Sequence, residues 1–64
     1  MKLSDTRINE LTNKIHRITG NPCEVSPGSK LIKFNFKGKD GYINLDMANW
    51  YEEKGRLQQY FNNL

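Results

Sequence analysis

The stretch IKFNFKGKDGYINLD, residues 32–46, contains two segments in which every second residue is apolar. Such alternation is typical of a β-strand with one buried face, because successive side chains point to opposite faces of the sheet. The apolar positions are Ile32, Phe34, Phe36, Ile43 and Leu45. Two such segments on either side of a glycine-containing turn predict an antiparallel hairpin.

The register of this hairpin depends on where the chain reverses. Gly38 and Gly41 flank the centre of the stretch and supply the backbone freedom that a tight reversal needs. We therefore predict a two-residue tip at Lys39 and Asp40, which keeps apolar residues opposite apolar residues. The predicted pairs are Phe36 with Ile43, Phe34 with Leu45 and Ile32 with Met47 on one face, and Lys37 with Tyr42, Asn35 with Asn44 and Lys33 with Asp46 on the other.

An amphipathic helix is predicted before the hairpin, over residues 4–19. Its apolar stripe recurs at helical spacing and consists of Ile8, Leu11, Ile15 and Ile18. Ser4 is the predicted N-cap, and Gly20 suits the left-handed position just past the helix end. Pro22 follows where the helix must already have stopped.

A second helix is predicted to begin near Asp46 or Asn49. Asn49 and Glu52 have the spacing of a capping box, in which the two side chains satisfy backbone N–H groups of the first turn. The apolar arc of this helix contains Trp50, Leu57, Phe61 and Leu64. Lys54 falls inside that arc, and Gly55 weakens the helix by about 1 kcal/mol relative to alanine, so we expect a bend there.

These elements predict that residues 1–64 form a single small α+β domain of αββα type, with an antiparallel hairpin packed on one face by two helices. A third, short edge strand near Cys23–Val25 is an optional addition, because Cys23 and Val25 alternate with polar neighbours. The predicted core consists of Ile8, Leu11, Ile15, Ile18, Ile32, Phe34, Phe36, Ile43, Leu45, Trp50, Leu57 and Phe61.

Composition indicates the compartment. Cys23 is the single cysteine, so no internal disulfide stabilises this small fold, which favours a reducing environment. The first residues lack the apolar core of a signal peptide, and no apolar run exceeds two residues, which excludes a membrane span. We expect a cytoplasmic protein with no membrane partner. Its asparagine- and lysine-rich composition is typical of short phage and mobile-element products.

The sequence contains few side chains of the kinds used in catalysis. His16 and Cys23 are single representatives of their types, and they form neither a metal-ligand set nor a nucleophile pair. Glu52 and Glu53 are adjacent on a helix and diverge by about 100°, so they cannot flank one substrate bond. We therefore predict no enzyme, no metal site and no cofactor.

A nucleic-acid-binding role is one of two hypotheses for function. The net charge is +3, and residues 1–45 carry +4 while residues 46–64 carry −1. A two-stranded ribbon with lysine and asparagine can enter a major groove and contact bases and phosphates. The candidate residues are Arg7, Lys14 and Arg17 on the first helix and Lys33, Asn35, Lys37, Lys39 and Tyr42 on the hairpin. The simpler interpretation is that these lysines keep a strand edge soluble, with Lys33 paired to Asp46.

Protein binding is the favoured hypothesis. Tyr51, Lys54 and Tyr60 cannot all be buried in so small a core, and exposed aromatic residues are enriched at interfaces. Their simpler interpretation is that both tyrosines cover the core with their hydroxyls in water. We predict a small non-enzymatic binding module, a regulator or inhibitor that acts on a partner protein, with DNA or RNA binding as the alternative.

A homodimer is also predicted. A hairpin alone is marginally stable, and its unpaired edges could be satisfied by a second copy. The contact would run through a sheet edge or through the C-terminal helix.

Overall fold

The computed structural model describes residues 3–26, 28 and 30–64, and it confirms the predicted α+β fold. The described residues form three helices packed against a three-stranded antiparallel sheet of order β1-β2-β3. The elements are α1 (Asp5–Thr19), β1 (Glu24–Val25), β2 (Leu31–Phe36), β3 (Lys39–Asn44), α2 (Leu45–Glu53) and α3 (Leu57–Asn62). None of the described helices is both long enough and apolar enough to cross a bilayer.

Helix α1 and the edge strand follow the sequence prediction. The Ser4 hydroxyl accepts a hydrogen bond from the Arg7 N–H at 3.2 Å, and Gly20 adopts the left-handed conformation at the other end. Leu11 and Ile15 are completely buried, while Ile8 and Ile18 are half-buried at the rim of the core. Strand β1 pairs antiparallel with β2 and so supplies the third strand.

The predicted hairpin register is wrong by four residues. Phe36 pairs with Lys39, so the tip consists of Lys37 and Gly38, whose φ angles are 55° and 80°. Two positive φ angles define the turn type whose twist matches that of the flanking strands. The observed pairs are Leu31 with Asn44, Ile32 with Ile43, Lys33 with Tyr42, Phe34 with Gly41, Asn35 with Asp40 and Phe36 with Lys39. Because four is an even number, each strand residue keeps its predicted face.

Gly41 has a packing role rather than the predicted turn role. It lies directly opposite Phe34, and a Cβ atom at position 41 would stand 2.7 Å from Cζ of the Phe34 ring. The ring therefore occupies the space that a side chain on β3 would fill. Phe34 also makes an edge-to-face contact with Phe61, with ring centroids 4.9 Å apart.

Helix α2 begins earlier than the capping-box prediction placed it. The Asn44 side chain accepts a hydrogen bond from the Asp46 N–H at 2.8 Å, which makes Asn44 the N-cap. Leu45, predicted to lie in the strand, is the first residue of the helix and is still buried. Asn49 lies inside the helix with only 8% of its surface exposed, so the predicted Asn49–Glu52 capping box is wrong.

The expected bend at Gly55 is a complete interruption of the helix. Gly55 has φ +69° and separates α2 from α3. The apolar arc predicted for one continuous helix is therefore broken, and Trp50 is 50% exposed instead of buried. Ala48 is buried on α2 in its place. The observed core consists of Leu11, Ile15, Ile32, Phe34, Ile43, Leu45, Ala48, Leu57 and Phe61, with Phe36 partly buried against it.

We expect Gly41→Ala to lower the free energy of unfolding by about 1–3 kcal/mol, because the new methyl group forces the Phe34 ring out of its packed position. Urea unfolding followed by circular dichroism measures this change. Tyr42→Thr is the matched control, since it alters the neighbouring, exposed position of the same strand and should stay within roughly 0.5 kcal/mol of wild type. Equal stability of the Gly41→Ala variant and wild type would contradict the packing role.

Candidate functional site

The residues predicted to bind protein lie together on one surface. The Trp50 and Tyr51 ring centroids are 5.1 Å apart, and those of Tyr51 and Tyr60 are 5.0 Å apart. The Lys54 ammonium lies 5.9 Å from the centroid of the Trp50 ring. Met47 precedes Trp50 by one helical turn and is 46% exposed. We call Met47, Trp50, Tyr51, Lys54 and Tyr60 the aromatic patch.

The aromatic patch is continuous with the core. Tyr60 makes an edge-to-face contact with Phe61 at 5.3 Å between centroids, and Phe61 is completely buried. Phe61 in turn contacts Phe34 and Phe36 at 4.9 and 5.8 Å. A series of ring contacts thus joins the exposed indole to the centre of the protein. Tyr51 and Tyr60 are the members of the patch that pack against the core beneath it.

Trp50 and Met47 are missing from the predicted protein-binding set. The sequence prediction assigns Trp50 to the core because a continuous helix would align it with Leu57 and Phe61. The signal that exposes this error is present in the sequence, since Lys54 and Gly55 both break the apolar arc at one point. Because the helix stops before Gly55, the apolar residues of α3 do not continue the side of α2 that carries Met47 and Trp50.

Two of the basic residues predicted to bind nucleic acid are part of an ion-pair network. The Arg7 guanidinium pairs with Glu52, and Lys14 Nζ lies 2.7 Å from Oε2 of the same carboxylate. Arg7 Nε also donates to Asn49 Oδ1 at 2.7 Å, and Asn49 Nδ2 donates to Glu53 Oε1 at 2.7 Å. We call Arg7, Lys14, Asn49, Glu52 and Glu53 the Glu52 network. It joins α1 to α2.

The hydrogen bonds of the Glu52 network shift the pKa values of Glu52 and Arg7. Hydrogen bonds from Lys14 and then from Arg7 lower the pKa of Glu52 below its ordinary value of 4.5. The hydrogen bond to Glu52 raises the pKa of the Arg7 guanidinium. Glu52 is therefore ionised at neutral pH and offsets part of the positive charge of α1. Arg17, the third predicted residue of that helix, is exposed.

The outer face of the sheet carries both signs of charge. Lys33 is exposed between Glu24 on β1 and Tyr42 on β3, so the predicted pairing of Lys33 with Asp46 is wrong. The Asn35 side chain donates to Asp40 Oδ1 at 3.0 Å across the same face. Lys33 and Asn35, the two residues of β2 that the sequence suggested for binding nucleic acid, therefore each lie next to an acidic residue. This face is not a uniform basic ribbon.

The remaining predicted cations of the hairpin lie at its tip beside a groove. Lys37 holds its ammonium 5.2 Å from the centroid of the Phe36 ring, and Lys39 is exposed. The adjoining groove has a volume of about 330 Å³ and lies between the tip and the C-terminal residues. We call it the hairpin groove; its apolar walls are Phe34, Phe36, Tyr60 and Leu64, and its cations are Lys37 and Lys39.

The two side chains considered for catalysis lie apart from these surfaces. His16 is exposed near the end of α1, as the helical pattern predicts. The Cys23 thiol donates a hydrogen bond to the Thr12 carbonyl at 3.1 Å, and burial raises its pKa, which lowers its thiolate fraction and its reactivity. In residues 3–26, 28 and 30–64 no group of three histidine, cysteine or carboxylate side chains is placed to hold a metal ion.

No protein-family model matches the chain, and comparison with curated proteins and with solved structures gives no match either. A functional proposal therefore rests on the chemistry of the aromatic patch, the hairpin groove and the charged side chains.

We expect Glu52→Gln to lower the free energy of unfolding at pH 7 by roughly 1–2 kcal/mol, because two cations lose their shared anion. The folded-state pKa of Glu52 is lowered, so its stabilising effect is present above pH 4.5 and is lost as the pH falls through that lower folded-state pKa. The stability difference between wild type and variant should therefore shrink under acid conditions.

Thermal unfolding from pH 7 to pH 3 measures this difference. Glu24→Gln makes the same charge change at an exposed strand position outside the network and should have little effect at either pH. A stability difference between wild type and the Glu52→Gln variant that stays constant down to pH 3 would contradict the role of the ionised carboxylate.

Proposed function

We propose that the protein is a non-enzymatic binding module that acts by binding a partner protein through the aromatic patch. The observation that supports this most directly is the exposure of Trp50 and Met47 next to each other on α2, at 50% and 46% of their surfaces. Single exposed apolar residues are ordinary, whereas adjoining large ones are typical of interaction sites.

The composition of the patch suits a protein interface. Tryptophan and tyrosine are over-represented among the residues that dominate binding energy, and they lose little conformational entropy on binding. Tyr51 and Tyr60 are half-buried and contact each other, and Tyr51 also contacts the Trp50 ring, which restricts the indole on that side before a partner arrives. Pre-ordered side chains reduce the entropic cost of association.

The nucleic-acid alternative has weaker support. Affinity for nucleic acid comes largely from cations that neutralise phosphates, and Arg7 and Lys14 already share the Glu52 carboxylate. Lys33 lies among carboxylates on the outer face of the sheet. Lys37, Lys39 and Arg17 are the exposed cations left from the predicted set, and the first two lie at the hairpin tip while the third is on α1.

Other parts of the sequence-based hypothesis remain predictions. They are the regulatory or inhibitory role, the phage or mobile-element origin, the cytoplasmic location and the homodimer. Strand β1 covers one edge of the hairpin. The resulting three-stranded sheet depends less on a second copy for its stability than a two-stranded sheet would. We therefore propose a different protein, and not a second copy of this chain, as the partner.

The test is affinity capture from a lysate of the source cells with and without nuclease, comparing wild type with a Met47→Ala/Trp50→Ala variant. We expect wild type to retain a protein after nuclease treatment. The affinity of the variant for that protein should be roughly thirtyfold lower, because loss of an interface anchor costs about 2 kcal/mol. Binding by isothermal titration calorimetry, once the captured protein is purified, measures that ratio.

The matched control is an Arg17→Ala/Lys33→Ala variant, which also changes two exposed side chains but none that borders the aromatic patch or the hairpin groove. It should bind the captured protein as wild type does. Retention of nucleic acid alone, with steep salt dependence and loss in the Arg17→Ala/Lys33→Ala variant, would contradict protein binding and support the alternative. Circular dichroism of both variants checks that the fold is intact.

A further inference from the structure

Strand β3 presents an unpaired backbone edge. Among the described residues it ends the sheet and pairs with β2 alone. Phe36 and Lys39 close a two-residue turn and therefore exchange both hydrogen bonds of their pair, after which bonded and non-bonded pairs alternate along the strands. By this alternation the backbone N–H and C=O groups of Asp40 and Tyr42 point away from β2. Such a row of donors and acceptors is a template for another extended chain.

The hairpin groove lies along this same edge. Asp40, Gly41 and Tyr42 of β3 border it, and Tyr60 and Leu64 form its opposite wall. Its volume of about 330 Å³ is enough for one large side chain. An extended chain that pairs with β3 would point every second side chain toward the helix side of the sheet, and so into this groove.

The charges at the groove favour an acidic occupant. Lys37 and Lys39 stand at the tip end of the groove. Asp40 is the one acidic residue among the described residues that border the groove, and its carboxylate accepts a hydrogen bond from Asn35 on the outer face of the sheet. The groove therefore combines an aromatic and aliphatic wall with two ammonium groups, which fit an apolar side chain followed by an aspartate or glutamate.

A second copy of the chain, paired through its own β3, does not supply an apolar side chain for the groove. The residues of β3 that face the helix side are Lys39, Gly41 and Ile43. Gly41 has no side chain, and Ile43 is 2% exposed because it belongs to its own core. Two β3 edges could pair, but neither would fill the groove of the other.

We propose that the β3 edge and the hairpin groove together bind an extended, acidic segment of a partner protein by strand addition, with one apolar side chain of that segment in the groove. The inference rests on the proposed protein-binding function and adds the kind of segment that is recognised. Tyr60 belongs to both the groove and the aromatic patch, so one partner can contact the two surfaces at once.

The probe is a displayed library of random twelve-residue peptides selected on the wild-type protein. We expect enriched peptides in which an aromatic or aliphatic residue lies within a few positions of an aspartate or glutamate. Titration of one synthetic peptide should shift and protect the backbone amides of Asp40 and Tyr42 in ¹H–¹⁵N spectra. Methylation of alternate peptide nitrogens should weaken binding about tenfold, because each blocks a strand-pairing hydrogen bond.

Matched charge reversals locate the site on the protein. Lys39→Glu should weaken the peptide about tenfold, whereas Lys33→Glu, the same change on the outer face, should leave affinity within about twofold. The inference is overturned if no peptide is enriched, if bound peptides leave the Asp40 and Tyr42 amides unshifted, or if the two reversals act alike. It is also overturned if these amides shift on concentration of the protein alone, since a second copy is then the occupant.

The Met47→Ala/Trp50→Ala variant separates this inference from the proposed function. It should bind the selected peptide as wild type does, because neither residue borders the groove. Capture of a partner protein that depends on Trp50, without any peptide binding at β3, would overturn the strand-addition inference and leave the proposed function in place. Peptide binding at β3 without a Trp50-dependent partner would support the inference and contradict the role of the patch.

Discussion

The contact between the Phe34 ring and Gly41 determines how the parts of this protein fit together. With Phe34 opposite a residue that has no side chain, the ring fills the empty position and meets Phe61 of α3 edge-on. That pairing also fixes the tip at Lys37 and Gly38. Strand β3 then ends at Asn44, which becomes the N-cap of α2. The position of one glycine thus sets the register of the hairpin and, with it, the residues of the turn.

The sequence predicts the faces of the hairpin but not its register. Alternation of apolar and polar residues has a period of two, so a shift by four residues leaves the pattern unchanged. Only turn chemistry and packing distinguish the two registers. The turn signal is misleading because Lys37 adopts a positive φ that glycine or asparagine usually takes, while two glycines flank the other candidate tip. The Phe34 ring needs a residue without a side chain opposite it because of the way it packs against Phe61 of α3. The local sequence of the hairpin does not show that contact.

The aromatic patch is predictable in part for a related reason. Tyr51, Lys54 and Tyr60 stand out in the sequence because they exceed what a small core can bury, and they do lie together. Trp50 is assigned to the core when the apolar arc is counted across Gly55. The interruption at Gly55 separates α2 from α3, so Trp50 no longer shares one helical arc with the buried Leu57 and Phe61. Ion pairs are harder to predict, since the residues of α1 and α2 that bond to each other in the Glu52 network are 38 to 45 positions apart in the chain.

The Glu52 network and the aromatic patch occupy different sides of the same helix, and the first helps to orient the second. At about 100° per residue, Asn49, Glu52 and Glu53 cluster on one side of α2, and Met47, Trp50 and Tyr51 lie roughly opposite. Arg7 and Lys14 hold the first side against α1. With that side fixed, the indole is turned away from α1, and its direction is limited further by the contact of Tyr51 with Tyr60. Arg7 and Lys14, two of the cations that the sequence suggested for binding phosphate, therefore act within the fold, where they hold α2 and the surface that we propose binds a protein.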